Sequence, residues 1–153
     1  MATMERTFVM VKPDAMQRGL VNKVIKRFEQ RGYKLVALKL LKPPRHVFEQ
    51  HYRHLTECDF YERMLAYLMS GPVTAMVWEG CNVVAAGKQI LGRTYPQDWT
   101  SGTIRGDFCV NVERSVCHAS DTVPNAAAEV ELWFPEGVID WELSTAHWLV
   151  PAM

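Results

Sequence analysis

The hydrophobic period changes twice within the first forty-one residues, and this alternation restricts the architecture more than any other feature of the chain. Thr7-Phe-Val-Met-Val11 is an unbroken β-branched and aromatic run ended by Lys12-Pro13, which predicts a strand buried on both faces. Behind Gly19, Val21, Val24, Ile25 and Phe28 fall at i, i+3, i+4 and i+7, one stripe of an amphipathic helix that Gly32 stops. Leu35 to Leu41 is a second apolar strand closed by Pro43-Pro44. A strand–helix–strand unit must find further strands and helices downstream to cover it.

The rest of the chain supplies them. One helix is expected from about Arg45 to Leu55, and a second carries Tyr61, Met64, Leu65 and Leu68 on one face. Val73 to Trp78 reads as a third strand turned by Gly80, and a helix lies between Asn82 as N-cap and Gly92 as terminator. Thr94 to Gly102 is a loop containing Pro96, and Ser115 to Ala119 a fourth strand. Asp121 or Thr122 then caps a helix with Pro124 in its first turn and Val123, Ala127, Val130 and Phe134 inward. In the tail, Trp141 and Trp148 are expected to pack down. The order predicts an α+β fold, a ferredoxin-like sandwich with a four-stranded antiparallel sheet. Its β-α-β-β-α-β core carries extra helices, with helices over one face. Residues 1–153 form one domain in this reading.

Charge and cysteines limit the partners. Seventeen basic and 17 acidic residues give a formal net charge of zero, so a nucleic-acid duplex is not indicated as a partner. No run approaches the length of a membrane helix, and Met1 to Arg6 lacks the apolar core of a secretory signal. Cys58, Cys81, Cys109 and Cys117 form no Cys-x-x-Cys pair, which suits free thiols in a reducing, cytoplasmic setting. Cys117 and His118 are neighbours on a strand and point to opposite faces, so they make no dyad. His51 and His54 share one side of their helix without an evident third metal ligand, and a solvated polar face is expected there.

Two segments carry chemistry. Gly102-Thr-Ile-Arg-Gly-Asp-Phe108 sets Arg105 among small residues where a phosphate could approach the backbone. Val116-Cys-His-Ala-Ser-Asp121 sets His118 near the end of an apolar run, held by a strand and open to a cleft. Phosphoryl transfer needs an in-line nucleophile and positive charge around the phosphate oxygens. Lys12, Lys88 and Arg105 can supply the charge and Thr94 a hydroxyl donor. Neither a Gly-x-x-x-x-Gly-Lys-Ser/Thr loop nor the glycine-rich loop of protein kinases is present. A histidine nucleophile working in two half-reactions remains.

Ser115-Val-Cys-His118-Ala119-Ser-Asp121, together with Lys12-Pro-Asp14, Gln17-Arg-Gly19, Ser70-Gly-Pro72, Val77-Trp-Glu-Gly80 and Gly102-Thr-Ile-Arg-Gly-Asp107, resembles the nucleoside diphosphate kinase family from about Glu5 to Trp148. The resemblance implies a homo-oligomer, usually a hexamer, that exchanges terminal phosphate between nucleoside tri- and diphosphates with Mg²⁺ on the nucleotide. It implies that His118 is phosphorylated, with Glu129 and Ser120 as its orienting partners. Lys12 matches the lysine on the terminal phosphate and ribose 3′-hydroxyl, and Thr94 and Arg105 match phosphate binders. Phe60 and Val112 match the base sandwich, Tyr52 a site tyrosine, and Asp121 an acidic residue near the metal's water shell. Several positions depart from the family pattern. Lys88 stands for an arginine, Ser115 for the asparagine that holds the 3′-hydroxyl, and Ala119 and Glu113 for glycines. Ala119 would be strained if its position required positive φ. Arg93, Tyr95 and the ending Leu149-Val-Pro-Ala-Met153 are also unusual. These departures set an active, attenuated kinase against an alternative, a nucleotide-binding oligomeric protein with a scaffold or regulatory role.

Overall fold

The computed structural model describes residues 4–151, so residues 1–3 and 152–153 of the expected domain lie outside it. Four strands form one sheet: β1 (Met4–Val11), β2 (Lys34–Leu41), β3 (Val73–Cys81) and β4 (Cys117–Ala119), in the order β2-β3-β1-β4. All three pairings are antiparallel, which is the expected ferredoxin-like arrangement. β1 lies between β3, with Met4 opposite Cys81 and Val11 opposite Thr74, and β4, with Met10 opposite His118. β2 meets β3 with an irregularity between Leu35 and Ala37.

The helices are α1 (Pro13–Gln17), α2 (Val21–Gln30), α3 (Arg45–His51), α4 (Tyr61–Leu68), α5 (Val83–Leu91), α6 (Ile104–Phe108), α7 (Val123–Trp133) and α8 (Ala146–Leu149). They cover both faces of the sheet, not one. Phe8, Met10, Ala75 and Val77 pack against Phe48 of α3, Leu65 of α4 and Trp133 of α7. Val9, Val11, Met76 and Trp78 pack against Phe28 of α2, Leu91 of α5 and Ile104 of α6. The continuous apolar runs of β1 and β3 are the cause, since every side chain on either face needs cover.

Other expectations shift for local reasons. α3 ends at His51 because Tyr52 (φ −107, ψ 24) leaves helical geometry, and a 3₁₀ turn over Arg53–Leu55 replaces the last expected turn. Gly80 does not turn the chain. It stays in β3 opposite Glu5, where a Cβ would stand 2.3 Å from the Tyr33 ring. The fourth strand is shorter than Ser115–Ala119 because Val116 has φ +73. In α7, Thr122 is the cap, accepting from Asn125 N at 3.1 Å. That frame turns Ala126 and Trp133 inward and leaves Val123 and Ala127 exposed. Trp141 is anchored by its indole N–H to Leu35 O at 2.9 Å, whereas Trp148 is 75% exposed. Among the described residues, no helix is long and apolar enough to cross a membrane.

Candidate active site

β4 carries His118 toward the face covered by α3 and α7, and the ring sits 4.6 Å from His51 and 6.0 Å from Phe8, centroid to centroid. Cys117 points to the opposite face, buried, and burial pushes its thiol up to about 12, so it is no nucleophile. His118 Nε2 lies 2.9 Å from Glu129 Oε2. The Ser120 hydroxyl donates to Glu129 Oε1 at 2.5 Å and accepts Phe8 N at 3.1 Å. Burial alone would raise the Glu129 carboxyl, but the hydrogen bonds from His118 and Ser120 hold it below the usual range. An ionised carboxylate only accepts hydrogen bonds. Nε2 therefore carries the proton and Nδ1 keeps the free lone pair.

The cations converge on the same cleft, a space of about 780 Å³ lined by Lys12, Lys88, Thr94, Arg105, His118 and Asp121 among others. Lys12 follows β1 and gives Nζ to Ser115 Oγ at 3.0 Å. Burial, reinforced by Arg105, lowers its ammonium to about 8. Arg105 is 7% exposed and holds Ser115 O at 3.4 Å and Cys117 O at 3.1 Å. Its segment is a short helix, not an open phosphate loop. Thr103 caps α6 by accepting Gly106 N at 3.0 Å, and a Cβ on Gly106 would fall 1.7 Å from Thr100 O. Lys88 on α5 reaches Asp121 at 2.8 Å, and that ion pair outweighs burial in lowering the Asp121 carboxyl. At the mouth, Phe60 and Val112 are 39% and 42% exposed, and Tyr52 is buried behind them. Glu113 also lines the mouth but is paired with Arg63 at 2.6 Å.

Ala119 lies in extended β4 outside the positive-φ residues, so its methyl group is not strained. The strain sits three residues earlier, at Val116. With φ +73 and Cys117 N donating to Ser115 O at 2.8 Å, residues 115–117 form a tight γ-turn. A β-branched residue there costs on the order of 1–3 kcal/mol. The turn is clamped by Lys12 N on Val116 O at 2.9 Å and by Asp14 Oδ2 on Val116 N at 3.2 Å. Tyr67 OH in turn donates to Asp14 Oδ1.

His51 contradicts its expected place on a solvated face: it is 8% exposed and wedged between His118 and Trp133. Phe48, His51 and Tyr52 stand at i, i+3 and i+4, a stripe that could have marked it as inward. His51, His118 and Glu129 bring ligand atoms within 4.8 Å of one another. They still make a poor metal site, because the Trp133 N–H donates to His51 Nδ1 at 2.9 Å and so leaves the proton on Nε2. Asp14, Tyr67 and Trp133 are the other site-building residues that the sequence reading missed.

Comparison with known proteins accords with this geometry. The sequence matches the family model described as nucleoside diphosphate kinase over residues 5–139. A nucleoside diphosphate kinase of Aspergillus fumigatus is 51% identical over 146 residues, 95% of each chain. The crystal structure of the Encephalitozoon cuniculi enzyme superposes with a TM-score of 0.91 at 43% identity, covering 95% of this chain and 99% of that one. The halophilic enzyme of Halobacterium salinarum, solved in complex with CDP, gives a TM-score of 0.93 at 35% identity, covering 97% and 100%. Fold and similarity together place the chain among the phosphotransferases. It belongs to the nucleoside diphosphate kinase family.

Proposed function

We propose that this chain moves the terminal phosphate of a nucleoside triphosphate to a nucleoside diphosphate by a ping-pong mechanism through His118. The observation that carries this reading is the Ser120–Glu129–His118 relay, which holds the proton on Nε2 and frees Nδ1. In the first half-reaction the Nδ1 lone pair attacks the terminal phosphorus. The bond to the bridging oxygen breaks, and its electrons leave with the diphosphate. In the second, a terminal oxygen of the acceptor diphosphate attacks the phosphohistidine, and the P–N electrons return to Nδ1. Lys12, Lys88 and Arg105 offset charge on the equatorial oxygens, and Thr94 donates to them. Phe60 and Val112, both exposed at the mouth, take the base between them, with Tyr52 behind and Ser115 near the ribose hydroxyl. The halophilic relative solved with CDP supports a nucleotide ligand in a fold of this kind.

Mg²⁺ fits as an ion carried on the phosphates, since it favours oxygen ligands and retains water. Asp121 would hold it through water, the only one of its partners we assign to this chain; its side chain is 62% exposed. Held there, it would supply positive charge against the phosphate oxygens. We further read the chain as a single domain that works as a hexamer in the reducing cytoplasm, which suits four free thiols.

The test is incubation with radiolabelled ATP followed by acid or base quench. A base-stable, acid-labile label on the protein that passes to added diphosphate is the expected result. His118→Ala should take no label and lose at least about a thousandfold in exchange. Exchange near the wild-type rate in that variant overturns the mechanism. The scaffold reading has no comparable support, because an inert site has no need of the assembled relay.

A further inference from the structure

We infer that His51 is a positioning residue for the transfer: a neutral imidazole whose Nε2–H stands beside Glu129, a small carboxylate rotation short of a hydrogen bond, and so favours the working tautomer of His118. The inference rests on the reading of His118 as the phosphoryl carrier. The Trp133 indole N–H can only donate, and it donates to His51 Nδ1 at 2.9 Å. A neutral imidazole has one N–H, so it must stand on Nε2. That nitrogen is buried 3.1 Å from Glu129 Oε2, out of line for a full hydrogen bond, and has no other partner among the described residues. A buried donor without a partner is a cost that a fold tolerates where it serves the site. A small rotation of the Glu129 carboxylate completes the bond.

Protonation of His51 is blocked from both sides. A proton on Nδ1 would collide with the indole N–H, and burial, followed by the neighbouring His118, drives the imidazole down to about 3. His51 thus acts as a fixed dipole across the working range. Glu129 must stay ionised to accept Nε2–H of His118. If it took a proton, Nε2 could turn acceptor and Nδ1 would lose its lone pair. The titratable and charged groups around Glu129 are His118 on β4 and His51 on α3. Burial and then Glu129 raise the Tyr52 hydroxyl, while His54 and Lys12 act on His51, and Arg105 and Asp121 on Tyr52. Besides His118, the neutral donors at the carboxylate are Ser120, bonded to Oε1 at 2.5 Å, and His51, whose Nε2 stands 3.1 Å from Oε2.

The experiment is a pH series of single-turnover His118 phosphorylation by ATP, with the full chain as wild type, His51→Phe and His51→Gln, and melting temperatures alongside. Phenylalanine fills the ring volume without a donor, and glutamine returns an amide N–H at similar reach. Losing a donor raises the Glu129 carboxyl, so the acid limb in His51→Phe should move up by about one pH unit. The plateau rate should fall by about tenfold, with ATP affinity changed by less than about twofold. His51→Gln should recover the limb. A His51→Phe limb that superimposes on wild type overturns the inference. If that variant does not fold, imidazole nitrogen NMR on the wild type decides. His51 protonated at Nδ1, or doubly protonated near neutrality, overturns it, and Nε2–H with Nδ1 as acceptor upholds it. A wild type that takes no label overturns the phosphohistidine reading itself, a result distinct from a labelled wild type indifferent to His51.

Discussion

Lys12 shows how one buried charge can be tuned for use. Burial and Arg105 lower its ammonium from 10.5 to about 8. Between those values the unfolded chain binds a proton that the folded chain has released, so stability rises with pH across this window. Below about 8 the cost of the buried charge is fully present. Lys12→Met should therefore abolish a rise in unfolding free energy between pH 8 and 10.5, read from urea melts; an unchanged rise refutes the assignment. A phosphate placed beside Lys12 restores its charge, so nucleotide binding at about pH 9 should take up a proton. Calorimetry in two buffers of different ionisation enthalpy measures that uptake. Ser115 and Lys88 act at the same scale. Ser115 occupies Lys12 Nζ at 3.0 Å, and Lys88 is held by Asp121 at 2.8 Å. The double variant Ser115→Asn with Lys88→Arg restores a longer side chain and a bidentate fork. It should speed transfer by roughly one to two orders of magnitude, and an unchanged or lower kcat would count against it. His118 and Ser120 were legible because they stand in one short signature, whereas Glu129 was reached only through the family resemblance. His51 was not legible: histidine is polar by composition, and the rings that bury it include Phe8, His118 and Trp133, the last 82 residues away.

Among the elements, α6 and the loop before it form one mechanical unit. Gly102 (φ +94) lets the chain enter α6, and its N–H donates to Asp107 Oδ1 at 2.8 Å, while Arg27 grips the same carboxylate at 2.5 Å. Gly106 lies so close to Thr100 O that any side chain must push the backbone apart. Gly106→Ala should cost about 1–3 kcal/mol in stability. It should also lower kcat/KM by at least about tenfold, because Arg105 rides on the displaced turn. A wild-type melting temperature with wild-type kinetics would show that the close contact does not matter. The sequence pointed to Arg105 here but not to the helix, because five residues with a glycine among them carry no helical period. The opposite happened in α7, whose Thr122 cap was legible. Val130 and Phe134 do face the core, but Val123 and Ala127 were misplaced because Glu129, a polar residue, shares the inward stripe with Ala126 and Trp133. Period analysis counts apolar residues, and a half-buried carboxylate facing the core breaks the count.

At the scale of the whole molecule, the strand order and the two-sided cover follow from the same pattern. β1 and β3 are apolar throughout their inner residues, and they occupy the centre of the sheet. Their continuity implied helices on both faces, although the alternating element order alone suggested one. β2 differs because its second half alternates half-buried and exposed residues and it lies at an edge, paired only with β3. It leaves Leu38 50% and Leu40 66% exposed, and the chain's own cover on that side includes the hydrogen bond from Ile139 N to Val36 O at 2.8 Å. An open edge with protruding leucines invites unregulated pairing unless another surface occupies it. Under the hexamer proposed above, a second copy of the chain occupies that edge and the Pro96 loop helps shape the contacts of the assembly. Light scattering at micromolar concentration should then give a mass near six times the 17.5 kDa chain. Leu40→Lys should shift that mass toward smaller species while leaving the site, built from β1, β4 and α7, able to take phosphate on His118. A wild type that stays monomeric would remove the second copy from the edge. In that case Leu38 and Leu40 would be exposed for a reason unrelated to assembly.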